Sequence, residues 1–258
     1  MMENNKRHTS PPLGDGEIAL VTGGAGGIGS AICKRLAEAG ASVIITYYSN
    51  EEKAKKLQEE LAGNNHSVFH TPVNDSERVK QLSLFIEEKY GRLDLLVNNA
   101  GITTPVAHDD LESLTDEWID KIFTTNFRGA FATIRACKKL LLKSNDALVI
   151  NISSVAAVSG IGSNVAYCAS KAAMDSMTRS LARALAPKIR VVSVSPGWVM
   201  GEYAKTVDPD FLQKQLDATP LSRFATPEDV AAAVYALTTS LKFTTGSIIP
   251  VDGGRLLK

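Results

Sequence analysis

The chain has 258 residues, 44% of them hydrophobic, and 28 basic side chains are balanced by 28 acidic ones. That length and apolar content suit a large globular α/β unit with a sizeable core, and they exclude a chain disordered throughout. A formal net charge of zero gives no concentrated basic footprint for nucleic acid or an anionic membrane surface, which leaves small molecules as the expected partners.

In chain order, Met1 to Gly16 is polar, carries Asn, Pro and Gly, and reads as a flexible N-terminal extension. It has no apolar run of the kind a targeting segment needs, and no later stretch is long enough to span a bilayer, so a cytoplasmic protein is expected. From Glu17 onward, short apolar runs alternate with longer amphipathic segments, the pattern of repeated βαβ units. The runs are Ile18 to Thr22, Ser42 to Thr46, Ser67 to Val73, Leu93 to Asn98, Ala147 to Ile152, Arg190 to Ser195 and Ser247 to Val251. Their β-branched content and flanking turn residues predict seven strands.

Between them, helices are predicted over Ile28 to Glu38, Glu51 to Leu61, Ser76 to Lys89, Asp116 to Lys143, Val165 to Ala186 and Pro227 to Thr238. Asp75, Thr115 and Thr226 stand where N-caps belong, and Pro227 fits a first helical position. No linker or repeat interrupts the alternation, so a single doubly wound Rossmann-type α/β domain over residues 17–258 is expected, with a seven-stranded parallel sheet flanked by helices. The irregular stretch from Gly197 to Phe224, with Trp198, Tyr203 and Phe211, is a candidate lid and apolar pocket wall. Cys33, Cys137 and Cys168 lie far apart without C-x-x-C pairing, so neither a metal site nor a disulfide is expected.

The first predicted strand runs into Thr22-Gly23-Gly24-Ala25-Gly26-Gly27-Ile28-Gly29 and then a helix. Glycines at a strand-to-helix turn let backbone approach a pyrophosphate while the helix N-terminus offers unpaired N–H groups and positive partial charge. Tyr167 and Lys171 stand one helical turn apart on one face, which sets an ammonium beside a phenol whose free pKa is about 10. A nearby cation favours the phenolate and moves the group toward proton transfer at neutral pH. Ser153 and Ser154 follow the fifth strand, at the end of a parallel sheet where ligands bind.

The turn T-G-x-x-x-G-x-G, the pair Y-x-x-x-K and the order of these motifs resemble the short-chain dehydrogenase/reductase family, over Ile18 to Leu256. The likeness extends to the 3-oxoacyl-(acyl-carrier-protein) reductases within it. Asn98-Asn99-Ala100-Gly101 resembles the family's N-N-A-G, Ser195-Pro196-Gly197-Trp198-Val199 its turn beside the nicotinamide, and Val251-Asp252-Gly253-Gly254 its final turn. The resemblance implies hydride transfer between a nicotinamide and a carbonyl or alcohol carbon. Tyr167 would be the proton donor, Ser154 would bind the substrate oxygen, Lys171 would assist Tyr167 and hold the nicotinamide ribose, and Asn126 would hold a water in a relay with Lys171.

Cofactor contacts are expected from Gly23, Gly27, Ile28 and Gly29 at the pyrophosphate, and from Asn99, Ala100 and Gly101 along the cleft. Pro196, Gly197 and Val199 would meet the carboxamide side, Gly201 standing where a threonine is usual. Tyr47 stands where NAD-preferring members carry Asp, so the element that repels a 2′-phosphate is missing and NADP(H) is favoured, with NAD(H) still open. Ser49 and Asn50, with Lys53, are the phosphate candidates. Pro72 replaces the family's adenine-contacting Asp, leaving the Val73 backbone for that contact.

A 3-oxoacyl thioester, including a carrier-bound acyl group, a sugar and other ketones all stand as substrates. A non-catalytic dinucleotide-binding regulator or scaffold is the alternative. Arg128, Arg135, Lys138 and Lys139 could face an acidic carrier, although a solvated helix face is the favoured reading. Family analogy further implies a homo-oligomer, dimer or tetramer, built on the helices Asp116 to Lys143 and Val165 to Ala186.

Overall fold

The computed structural model of the chain describes residues 16–201 and 209–257. The expected N-terminal extension therefore lies outside the described residues except for Gly16, as do Tyr203 and the side chain of Phe211. Seven strands form one sheet: β1 (Ile18–Val21), β2 (Ser42–Tyr47), β3 (Ser67–His70), β4 (Leu95–Asn98), β5 (Ala147–Ile152), β6 (Ile189–Pro196) and β7 (Ile248–Val251). Their order is β3-β2-β1-β4-β5-β6-β7, and every neighbouring pair is parallel. This is the doubly wound Rossmann-type arrangement expected from the alternating pattern.

The central strands read as unbroken apolar runs because both faces of the sheet are covered. Successive side chains point to opposite faces, so Leu20 and Val21, Ile44 and Ile45, and Val149 and Ile150 divide between two cores. One core receives Ile32 and Leu36 of α1 (Gly27–Glu38) and Val234 of α9 (Pro227–Thr239). The other receives Leu82 of α3 (Ser76–Tyr90), Ile134 of α5 (Ala130–Leu141) and Met174 of α7 (Val165–Leu185). The chain runs outward from β1 to β3 and returns to lay β4 against β1, with Val21 opposite Val97. The carboxyl ends of β1 and β4 thus flank the topological switch point, where such sheets bind ligands.

The expected caps form. Asp75 accepts from the amides of Glu77 and Arg78, Thr115 from that of Trp118, and Thr226 makes a capping box with Asp229 behind Pro227. Three expectations about elements change. β3 ends at His70 rather than Val73, because Pro72 has no N–H to continue the ladder, although Thr71 still donates to the Tyr47 carbonyl. The helix expected from Asp116 to Lys143 comprises α4 (Asp116–Phe123), a π-helical segment (Thr124–Gly129) and α5. The stretch expected to be irregular contains α8 (Pro209–Asp217), and a short helix α6 (Ala156–Ser159) follows β5. Between α1 and α3, α2 (Glu51–Glu60) follows β2. Among the described residues no helix is long and apolar enough to cross a membrane, no cluster could hold a metal ion, and all three cysteines are buried and free.

Candidate active site

A cleft of about 730 Å³ opens at the switch point. Gly23, Gly27, Ile28 and Gly29 form its floor at the start of α1. Gly23 takes φ +61°, a left-handed conformation that favours glycine, and a Cβ on Gly29 would lie 2.5 Å from the Gly23 carbonyl oxygen. A Cβ on Gly27 would meet nothing within 4 Å; it would project into open space. Gly26, at the N-cap of α1, offers no side-chain cap and the first turn carries no acidic residue, so the helix's amides and positive end are available to an anion.

The Thr22 side chain ties this turn to β4. Its Oγ1 accepts from the amides of Asn99 (3.0 Å) and Ala100 (3.1 Å), while Asn99 Nδ2 donates to the carbonyls of Thr22 and Gly23. Asn99, Ala100 and Gly101 consequently form one wall of the cleft. Val73 and Tyr47 also line the cleft, together with Tyr48, Thr71 and Asn74. Ser49 and Asn50 are not among the lining residues. Asn50 Oδ1 is occupied as the N-cap of α2, accepting from Lys53 N at 2.8 Å. The Tyr47 ring tilts against His70, and burial together with the nearby Glu51 carboxylate, which pairs with Lys55 at 2.7 Å, raises its phenol above the ordinary value.

The opposite wall comes from β5, α7 and β6. Asn164 caps α7, accepting from the Tyr167 amide at 2.7 Å while its Nδ2 donates to the Thr104 carbonyl, so the first turn that carries Tyr167 is fixed. Ser154, Tyr167 and Lys171 all line the cleft, as do Pro196, Gly197 and Val199. Lys171 Nζ donates to the Ile152 carbonyl at 2.8 Å and lies 5.7 Å from the centroid of the Tyr167 ring. Burial pushes the Lys171 ammonium down to about 8, against the upward pull of Asp175.

Tyr167 departs from the expected electrostatics. Burial raises its phenol above the ordinary value, and the neighbouring Ser154 hydroxyl pulls in the other direction. Tyr167 therefore rests as a protonated phenol, the form that donates. Asn126 is fully buried and does not line the cleft. Its Oδ1 accepts from Ile102 N at 2.8 Å, and its Nδ2 donates to the Ile102 carbonyl and to Ser170 Oγ. A Cβ on Gly101 would sit 3.3 Å from Asn126 Oδ1 and 3.6 Å from Lys171 Nζ, so both polar groups converge on that glycine.

The order of these parts along one sheet is matched by known proteins. A family model described as Enoyl-(Acyl carrier protein) reductase matches residues 23–255. The 3-oxoacyl-(acyl-carrier-protein) reductase FabG of Staphylococcus aureus is 35% identical over 242 residues, covering 92% of this chain and 96% of the relative. The chain belongs to the short-chain dehydrogenase/reductase family. FabG of Thermotoga maritima is 32% identical, covering 94% of this chain and 99% of the relative. A Burkholderia xenovorans crystal structure assigned to the short-chain dehydrogenase/reductases superposes with a TM-score of 0.87 at 32% identity, covering 94% of this chain and 98% of that one.

For this short-chain dehydrogenase/reductase, an oxidoreductase by family, a nicotinamide cofactor is implied. The glycine floor fits its pyrophosphate, since Gly27 leaves space and α1 leaves amides unpaired. A second cavity of about 1020 Å³ adjoins the cleft and shares Thr103, Ser154, Tyr167, Gly197 and Val199 with it. Its walls include Trp198, which reaches Phe224 with ring centroids 6.2 Å apart. On α5 and the segment before it, Arg128 donates to the Asn74 carbonyl and Arg135 lies over Phe131, while Lys138 and Lys139 are exposed.

Sequence reasoning missed Asn164, Tyr48 and the position of Glu51. The Asn-x-x-Tyr spacing before a helix was a signal for the first, as an N-cap. The other two depend on how β2 meets α2, which spacing does not encode.

Proposed function

We propose that the chain is a reductase that delivers hydride from NADPH to the carbonyl carbon of a ketone, with 3-oxoacyl thioesters, free or carrier-bound, as the foremost substrates. The carrying observation is the convergence of Ser154 and Tyr167 on the wall shared by the two cavities, with Lys171 beside them on the wall of the first. The cofactor would supply the hydride. Tyr167 gives its proton to the developing alkoxide, and Ser154 donates a hydrogen bond to the same oxygen as charge builds there. Lys171 keeps a positive charge beside the phenol and offers donors toward the nicotinamide ribose. Asn126 acts at one remove, pinning Ile102 and so the Gly101 backbone against Lys171.

NADP(H) is favoured because no acid occupies position 47, and Lys55 offsets the Glu51 carboxylate nearby. The relatives named as 3-oxoacyl reductases support the substrate class, as they share nearly the whole chain. The test is oxidation of NADPH and of NADH against 3-oxoacyl thioesters, sugars and simple ketones. Tyr167→Phe is expected to abolish reduction while NADPH still binds by calorimetry. Full turnover in that variant would sink the assignment, and cofactor binding without oxidation across the panel would favour a dinucleotide-binding scaffold.

A further inference from the structure

The second cavity has a charge asymmetry that the hydride and proton steps do not use. Its walls are largely apolar, with Val155, Val158, Ile161, Trp198 and Leu256. Among the described residues lining it there is no Asp or Glu, and the one fixed charge is the guanidinium of Arg255. Arg255 lines this cavity and not the cofactor cleft.

Arg255 is held in place from both sides. Asp252 accepts the Gly254 amide on Oδ1 and the Leu256 amide on Oδ2, and its carbonyl accepts from the Arg255 amide, which fixes the short 3-10 turn Arg255–Leu257. The guanidinium is half-buried and donates from Nη1 to the Gln215 carbonyl at 2.6 Å and from Nη2 to Gln215 Oε1, both neutral oxygens of α8. A guanidinium has five N–H donors and is always charged, so these two bonds leave donors and the full charge in a mainly apolar space. A wholly apolar ligand would strip water from that cation without compensation, whereas an anion would gain charge-assisted hydrogen bonds.

We propose that this cavity takes a ketone whose apolar body ends in an acid group, a carboxylate or a phosphate, and that Arg255 is the residue that recognises it. The inference rests on the reductase reading above for the ketone, and on the cavity itself for the acid. Ser154 and Tyr167 hold the carbonyl at the shared wall, the apolar side chains cover the body, and Arg255 sets specificity.

Two matched pairs of substrates test it: a ketone ending in a carboxylate against its methyl ester, and one ending in a phosphate against the free alcohol. In the wild-type protein the charged member of one pair is expected to have a kcat/KM about tenfold or more higher. That ratio should fall toward one in Arg255→Met and recover in part in Arg255→Lys, which keeps the charge but not the fork. The pair that shows the effect tells carboxylate from phosphate. Calorimetry with the corresponding alcohol products reads the same preference without turnover, so a protein that reduces nothing overturns the reductase reading while this one is still decided. If Arg255→Met does not fold, Arg255→Gln replaces it. A ratio near one in the wild type, or one that survives in a folded Arg255 variant, overturns the proposal.

Discussion

Burial shifts the two side chains proposed to govern proton delivery in opposite directions. Tyr167 is raised, so it keeps its proton through neutral pH, while Lys171 is lowered to about 8 and loses its charge just above neutrality. Under the proposed mechanism reduction needs both the phenol proton and the neighbouring cation, so kcat/KM should fall as pH rises through about 8. Asp175, one turn further along α7 and buried, is what holds Lys171 up against burial. Removing that carboxylate in Asp175→Asn should move the falling limb to lower pH. A limb that stays in place or moves upward in a pH–rate profile would count against the coupling. The linkage has a definite sign: the folded Lys171 value lies below the ordinary 10.5, so the unfolded chain binds a proton between about 8 and 10.5 that the folded chain does not. The Lys171 contribution to stability therefore rises with pH across that window, and urea titrations of wild type against Lys171→Met should converge toward its upper end.

At the scale of elements, the glycine turn separates a structural role from a binding one. A Cβ at Gly29 would meet the Gly23 carbonyl at 2.5 Å and Asn99 Nδ2 at 2.8 Å, contacts that backbone cannot relieve cheaply. Overpacking of this kind costs about 1–3 kcal/mol, so Gly29→Ala should lower Tm by roughly 2–10 °C. Gly27→Ala meets no neighbour, keeps the wild-type Tm, and should lose NADPH affinity because its methyl group fills the space over the α1 amides. Differential scanning calorimetry and cofactor titration together check both outcomes. The same elements mark what could be read from the sequence. Strand and helix periodicity, the caps and the glycine turn are local signals, and the sheet they form follows them closely. The π-helical segment around Asn126 is not local. It accompanies the bonds from that amide to Ile102 and the seating of Gly129 against Val73, where a Cβ would lie 2.8 Å from Val73 Cγ2. Asn50 carried no sign of its commitment to the cap of α2, since the same residue type serves caps and phosphate contacts alike.

At the scale of the whole molecule, the outer surface of α7 raises the question of what lies against it. Lys171, Met174, Asp175 and Thr178 face inward, whereas Ala169, Ala172, Ser176 and Ser180 are exposed along one stripe of the same helix. Small side chains let two helix backbones approach closely, and Phe131 on α5 adds an exposed aromatic ring. A two-fold pairing of α4–α5 and α7 with the same elements of a second copy would cover both features through one isologous surface. We expect a dimer or tetramer in sedimentation equilibrium at micromolar concentration. Ser176→Arg, which places a long charged side chain in the stripe, should shift the population toward monomer with little change in far-UV circular dichroism. A wild-type protein that sediments as a monomer across the micromolar range would rule out the pairing, and an unchanged mass in the variant would move the interface off α7.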